Sequence, residues 1–371
     1  MHVLLTGAGG FVGHHILEHF LVNTDAYLTL TDSFRHRGTS ERITEVLEGR
    51  PGSYDRVSVL THDLTTPWSR YGIRAILEHG EVDAILQVAS ESHVDRSIAE
   101  PVPFVRNNVD VALNSLELAR VLRPKQFVLL STDEVYGPVP LGRPSIEWDP
   151  ILPSNPYSAS KAAQEAIAVS YWRTYDVPIV IINAMNLIGE RQHPEKFIPK
   201  VIANVIAGTP VPVHCSSAVV RELGSAPLRA DDTKRVDRAQ IGRRCYLHAR
   251  NLADAMLFLI RDAKIEGAPI AAKGHYDPAA SGAGNFPLRF HVIGEHEVDN
   301  LTMAERIAEF AGKPLVWEAI DFHSTRPGHD LRYAMDGRRL RELGWTPPVP
   351  LWDSLAHVVR WTLAHPRWMA D

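Results

Sequence analysis

Leu4-Leu5-Thr6-Gly7-Ala8-Gly9-Gly10-Phe11-Val12-Gly13 is the stretch that decides the fold. A short apolar run, Val3–Leu5, stops at a cluster of glycines, and a helical pattern, Phe11–Leu21, starts beyond it. Strand, tight turn and helix open a βαβ unit, and glycines at such a turn let the backbone approach a pyrophosphate whose charge the helix N-terminus favours. The spacing is Gly7-x-x-Gly10-x-x-Gly13; the dehydrogenase form Gly-x-Gly-x-x-Gly fails at Val12. Alone, this is equally a tight strand–helix connection. Asp32, 19 positions beyond Gly13 and at the end of the second apolar run, tips the reading toward a dinucleotide. A carboxylate there binds both hydroxyls of an adenosine ribose and repels a 2′-phosphate, favouring NAD over NADP. Arg35 and Arg37 either weaken that preference or belong to a solvated loop.

Outward from this turn, Leu28–Thr31, Ser58–Leu60, Ala84–Val88, Phe127–Leu130 and Ile179–Ile182 read as further strands, with helical stretches over Asn107–Leu122 and Ala159–Tyr175. Short apolar strands between helices predict a Rossmann-type α/β fold, a doubly wound parallel sheet covered on both faces. After Asn183 the rhythm changes. Helical pieces (Ile198–Ala207, Leu252–Ala263, Thr302–Ala311) alternate with polar stretches, and Ser216–Arg244 and Lys264–Pro287 carry little regular pattern. The expected organisation is a dinucleotide-binding domain over 1–182 and a smaller mixed α/β substrate domain over 183–371, with segments free to interleave.

The chain has 371 residues, net charge −5 and 22% charged residues, so nothing suggests nucleic acid or a disordered chain. Two cysteines, Cys215 and Cys245, exclude a disulfide framework and point to a reducing compartment. No apolar run approaches the roughly 18–20 residues of a membrane span, and the first residues do not resemble a signal peptide, so a cytoplasmic protein is expected.

Two further motifs carry chemistry. Tyr157-Ser158-Ala159-Ser160-Lys161 places a phenol and an ammonium on one helix face, where the cation would favour phenolate and lower the tyrosine pKa from about 10. Ser131-Thr132-Asp133-Glu134-Val135-Tyr136-Gly137 follows an apolar strand, where ligands sit in open α/β sheets. Its adjacent carboxyls can divide acid and base roles if one stays protonated. Seen singly, the first is an ordinary surface pair and the second a helix cap; the order of all three elements argues against that. The histidines show no spacing that implies a metal site, and His14, His15 and His93 read as helix-surface or pocket residues.

With these motifs, together with Ser90–Ser97, Pro194–Pro199 and Arg326–Tyr333, the chain resembles the extended short-chain dehydrogenase/reductases of the NAD-dependent epimerase/dehydratase family, and most the dTDP-glucose 4,6-dehydratases. The resemblance implies NAD contacts at Gly7, Gly10, Phe11, Val12, Gly13, Asp32, Ser33, Asp63, Leu64, Ala89 and Ser90, and at Tyr157 and Lys161. It implies nucleotide-sugar contacts at Ser92, Thr132, Asn186, Lys196, Phe197, Arg244, Arg326 and His329. It also implies the catalytic set Thr132, Asp133, Glu134, Tyr157 and Lys161, and a homodimer through the helices at Asn107–Leu122 and Ala159–Tyr175.

The implied reaction is oxidation of an NDP-hexose at C4, elimination of water across C5–C6, and hydride return to C6. Tyr157 acts on the C4 hydroxyl, Glu134 takes the C5 proton, and a protonated Asp133 donates to the departing C6 hydroxyl. An NDP-sugar 4-epimerase, a uronate decarboxylase, or an NAD-occupied binding protein remain the rival readings, and Asp133 discriminates the first two.

The chain also departs from the family. Arg-x-x-Asn-Asn-Tyr-Gly becomes Asn183-Ala184-Met185-Asn186-Leu187-Ile188-Gly189, an aspartate becomes Cys245, and an asparagine becomes His291. The segment 216–244 is lengthened and carries seven basic residues against four acidic ones. It is read as closing over a diphosphate, as a solvated loop or as an oligomer contact.

Overall fold

Alternation along the strands explains the layering. In β1 (His2–Thr6), Val3 and Leu5 enter one apolar cluster and Leu4 the other. In β5 (Gln126–Thr132), Val128 and Leu130 face the first cluster while Phe127 and Leu129 face the second. In β6 (Ile179–Ala184) the same division separates Val180 and Ile182 from Ile179 and Ile181. Side chains of period two with both faces buried require helices on both sides. The computed structural model describes residues 1–50, 52–139, 142–224, 226–229, 232, 236–265, 268–270, 286–321 and 331–369.

The remaining strands of the sheet are β2 (Tyr27–Asp32), β3 (Val57–Thr61), β4 (Ala84–Gln87) and Leu288–Val292. Their order is Leu288–Val292, β6, β5, β4, β1, β2, β3, with every pairing parallel. The chain runs outward from β1 through β2 to β3, then returns to the other side of β1 with β4. That reversal opens a crevice at the carboxyl ends of β1 and β4. Helix α1 (Phe11–Asn23) packs on the helix Ala249–Arg261, which comes from the second half of the chain. On the opposite face, α5 (Pro101–Leu122) lies along α6 (Pro156–Tyr175), preceded in the chain by α2 (Ser40–Glu48), α3 (Arg70–Leu77) and α4 (Val94–Ala99).

A separate apolar cluster builds the other lobe, where Ile198, Val201 and Ile202 of the helix Phe197–Ala207 meet Leu301, Ile307, Leu355, Val359 and the fully buried Trp317. Its sheet sets Val316–Asp321 between the parallel strand Val211–Cys215 and the antiparallel Leu228–Arg229.

Ser216–Arg244, which carries little regular pattern in sequence, holds short elements among its described residues: Ser216 Oγ caps the helix Ser217–Leu223, Leu228–Arg229 joins the sheet, and Arg243–Arg244 pairs with Val298–Asp299, while 225, 230–231 and 233–235 lie outside the described residues. These elements are only two to seven residues long and are held by tertiary pairing, which leaves no period to read. Of the two readings of His14 and His15, helix surface or pocket, burial removes the first, since both are fully buried. Within Lys264–Pro287, Lys264–Ile265 pairs with Ala268–Pro269, and 271–285 lies outside the described residues.

Candidate active site

The glycine turn is fixed by contacts that leave no room for side chains. Gly7 has φ +69°, and a Cβ on it would lie 2.8 Å from Ala89 Cα. A Cβ on Gly13 would lie 2.1 Å from the Gly7 carbonyl oxygen and 2.7 Å from Ala8 Cα. The first turn of α1 thus presses on the end of β1. Gly10 caps α1 without a side-chain acceptor, so the amides of the first turn keep their attraction for an anion.

The other positions expected to hold NAD follow the same sheet edge: Asp32 ends β2, Ser33 follows it, Asp63 and Leu64 follow β3, and Ala89 and Ser90 follow β4. Asp32 is oriented by two backbone amides, from Gly9 at 3.0 Å and Phe34 at 2.9 Å. Thr6 Oγ1 accepts from the amides of Val88 and Ala89 and so stitches β1 to β4. Phe11 packs edge-on against His15, and Val12 packs against the core. Arg35 is committed to Asp63 at 2.6 Å and Arg37 to Glu195 at 3.1 Å, so both guanidinium groups already face carboxylates. A Cβ-free cradle, an uncapped helix N-terminus and an oriented carboxylate fit the pyrophosphate and ribose of NAD.

Beyond β5, a single 3-10 turn, Asp133–Tyr136, presents the acids. Thr132 Oγ1 donates to Asp133 Oδ1 at 2.9 Å and accepts from the Glu134 amide at 3.3 Å. The second Asp133 oxygen is buried and has no hydrogen-bond partner among the described residues. Asn155 supplies the capping box that starts α6, and its Nδ2 donates to Glu134 Oε2 at 3.2 Å. One residue therefore ties the helix bearing Tyr157 and Lys161 to the acid turn.

Burial pushes Asp133 up to about 6 against the opposing charge of Arg244, and burial together with the neighbouring Asp133 pushes Glu134 up to about 7. Both carboxyls are thereby held well above their usual range, so the pair retains a proton at a higher pH than free carboxyls would. Glu134 is raised further than Asp133, whereas the roles implied by resemblance put the proton on Asp133.

The expectation that Lys161 lowers the Tyr157 pKa is not met. Burial, then the adjacent Glu134 and Asp133, hold the phenol well above its usual range, while a hydrogen bond with Thr132 opposes them. Lys161 Nζ instead donates to the Leu130 carbonyl at 2.7 Å and to Gln164 Oε1 at 2.6 Å, and burial pushes it down to about 8.

On the substrate side, Arg244 is buried, donates to the carbonyls of Arg243 and Leu331, and stacks over Tyr333. Lys196 reaches the Ser92 carbonyl at 3.1 Å, joining the loop after β4 to the start of the helix that Phe197 opens. Asn186 is exposed, with its carbonyl accepting from Leu247. Arg326 and His329 lie outside the described residues. In the lengthened segment, Arg238 faces Asp299 at 3.2 Å and Glu305 at 2.8 Å, and Arg243 faces Glu297 at 3.4 Å. The local basic excess is thus partly neutralised within the fold.

Several residues given no site role by the sequence reading converge here: Asn155, Gln164, Glu165 and Arg289, with Asn183, which was read only as a departure from the family pattern. Glu165, four residues after Lys161, was open to an i,i+4 reading; Arg289, more than 120 residues further on, gave no sequence signal.

Residues 3–270 match the NAD dependent epimerase/dehydratase family. The dTDP-glucose 4,6-dehydratase of Salmonella typhimurium is 28% identical, with 100% of this chain and 94% of that protein covered. The low-salt glycan biosynthesis protein Agl12 of Haloferax volcanii is 30% identical over 98% of this chain and 99% of its own. Among solved structures, DesIV, a dTDP-glucose 4,6-dehydratase from Streptomyces venezuelae with NAD bound, superposes with TM-score 0.76 at 28% identity, covering 99% of this chain and 98% of that one. With the cradle, the acid turn and these likenesses together, this chain belongs to the NAD-dependent epimerase/dehydratase family.

Proposed function

We propose that the chain is an NAD-dependent nucleotide-sugar 4,6-dehydratase, converting an NDP-hexose to an NDP-4-keto-6-deoxyhexose. The observation that carries this reading is the buried Asp133–Glu134 pair, held by Thr132 and Asn155 beside the Tyr157 hydroxyl, with both carboxyls raised by burial. Relatives named as dTDP-glucose 4,6-dehydratases, similar over their whole length, support a nucleotide-diphosphate hexose as substrate class. Epimerisation at C4 needs no acid for a leaving C6 hydroxyl; a second buried carboxyl favours dehydration.

NAD⁺, when bound, supplies the hydride acceptor and later the donor. The chain's residues handle protons and position. Tyr157, bonded to Thr132, relays the C4 hydroxyl proton, and the high phenol pKa is the property to be overcome as substrate and cofactor enter. The C4 ketone acidifies the C5 hydrogen, which one carboxyl of the pair removes while the other protonates the departing C6 oxygen. We assign Glu134 as base and Asp133 as acid. Lys161, and Gly7, Gly10, Phe11, Val12, Gly13, Asp32, Ser33, Asp63, Leu64, Ala89 and Ser90, hold the dinucleotide. Ser92, Asn186, Lys196, Phe197 and the buried Arg244, with Arg326 and His329, hold the nucleotide sugar.

The proposal includes a homodimer through α5 and α6, on which Val102, Val121 and Tyr175 stand exposed, and a cytoplasmic site of action, in keeping with two buried free thiols. No helix among the described residues is long and apolar enough to cross a membrane.

The test is incubation of the purified protein with a panel of nucleotide hexoses, followed by mass spectrometry. A product lighter by one water supports the reading; an isomer of unchanged mass, or loss of CO₂, replaces it with epimerisation or decarboxylation. In D₂O, Asp133→Asn should still exchange the C5 hydrogen and Glu134→Gln should not; the opposite pattern reverses the acid and base assignment.

A further inference from the structure

Glu165 and Arg289 take no part in the chemistry above, yet each side chain is only 1% exposed and their charges meet at 2.6 Å in the core. Taking two charges out of water is costly, and the pair's own attraction rarely offsets that cost. Here the contacts of the pair lead to the acid turn. Glu165, one helical turn beyond Lys161, accepts on Oε1 from Ser131 Oγ at 2.5 Å and from Asn183 Nδ2 at 2.8 Å. The same Asn183 amide donates to the carbonyl of Thr132 at 3.0 Å, the residue that opens the turn. From the other side, Arg289 donates to the hydroxyl of Tyr136 at 3.0 Å, the residue that closes it. That hydroxyl is also within reach of the Glu147 carbonyl at 3.0 Å and of His291 Nε2 at 2.8 Å. The guanidinium plane lies over Trp148 at 4.2 Å, which leaves it little freedom to swing away.

We infer that the Glu165–Arg289 ion pair is a positioning clamp that grips the Asp133–Tyr136 turn at both ends and fixes the two carboxyls against the Tyr157 hydroxyl. A lone 3-10 turn has poor internal hydrogen-bond geometry and cannot hold a catalytic pair by itself. Proton transfers between groups on different elements demand placement to within about 0.5 Å. The clamp meets that demand through the side chains of β5, β6, α6 and the last strand of the sheet. Neither residue touches the reacting atoms, so both are positioning residues.

The inference rests on the dehydratase reading, and its test is built so that the two can fail separately. The double variant Glu165→Gln/Arg289→Met replaces the buried charges with neutral chains of similar size, a change that commonly leaves folding intact. Arg289→Lys keeps the charge but not the fork that spans Glu165 and Tyr136. For the double variant, kcat should fall by roughly tenfold to a hundredfold, with KM changed by less than about twofold. Quenching turnover with borodeuteride should trap more 4-ketohexose still bearing its C6 hydroxyl, because elimination lags behind oxidation. Amide hydrogen exchange, read by mass spectrometry, should speed up over 131–137 and stay unchanged over 7–13. Arg289→Lys should fall between the two.

Unchanged kcat, or unchanged exchange over 131–137, overturns the clamp. If the wild-type protein removes water from no sugar, the dehydratase reading fails, and the exchange comparison still decides whether the pair holds the turn.

Discussion

Two turns at the carboxyl edge of one sheet are held in place by opposite means. The glycine turn, 7–13, is fixed by backbone packed on backbone: a methyl group on Gly13 would sit 2.1 Å from an oxygen, and no charge lies within the loop. The acid turn, 133–136, takes one backbone bond from another segment, the Leu152 amide to the Val135 carbonyl at 2.9 Å, and is otherwise tied by side chains, from Asn155, Asn183, Glu165 and Arg289. The first site has only to be a shape that a dinucleotide fits, and sterics suffices. The second must hold one proton between two carboxyls, and that needs partners that set charge as well as position.

The widest gap between the turns is expected from the carboxyls. Asp133→Asn and Glu134→Gln should each lower kcat by roughly 10²–10⁴-fold while cofactor still copurifies. Steady-state rates on the reactive sugar, together with the absorbance of extracted nucleotide, check this; loss of NAD from either variant would merge the two turns into one site.

Gly13→Ala should behave in the reverse way. Overpacking against the Gly7 carbonyl should cost about 1–3 kcal/mol of stability and strip the cofactor, with restored turnover when NAD is supplied in excess. Thermal melts and cofactor content report both.

The pH response sharpens the contrast further. Turnover should fall on both sides of a narrow optimum, as the pair gains its second proton below about 6 and loses its last above about 7. Both pKa values are raised above their unfolded values, so ionisation of the buried pair costs stability as pH rises from about 4 through 7. Asp133→Asn should therefore flatten the fall in melting temperature between those limits, and Gly13→Ala should leave its slope unchanged.

The smallest effect belongs to Arg238→Ala. Arg238 and Glu305 are each about one-third exposed and only Asp299 is nearly buried, so about 0.2–1 kcal/mol of stability is at stake, with KM for the nucleotide sugar unchanged. A large rise in KM would instead return the lengthened segment to the role of a cover over the diphosphate.

The same contrast explains what the sequence discloses. Short-range requirements leave marks in neighbouring positions. Gly7, Gly10 and Gly13, Asp32 at the second strand's end, and Tyr157 with Lys161 on one helix face were all readable. So were the first six strands: burial on both faces imposes continuous apolar runs on β1, β2, β4, β5 and β6, while the part-exposed edge strand β3 keeps a short apolar alternation. The seventh strand, Leu288–Val292, carries a buried arginine and histidine among its five residues and does not read as a central strand. That Lys161 does not lower the Tyr157 pKa was hidden for a similar reason. Spacing puts the two on one face, but Gln164 and the Leu130 carbonyl decide where the ammonium goes. Helix Ser217–Leu223 and the short strands after it exist only because the Val316–Asp321 sheet and the Val298–Asp299 strand receive them.

The late strand Leu288–Val292 has a consequence for the order of events during synthesis. Until residue 292 has left the ribosome, the flank of β6 stays an open edge, and the first six strands wait as an unfinished sheet. Arg289 arrives with that strand, so the acid turn receives its guanidinium only when four-fifths of the chain has been made. A nascent or truncated chain could thus form its glycine turn early and still lack an ordered acid pair. Competence for proton transfer would come last, as a by-product of closing the sheet.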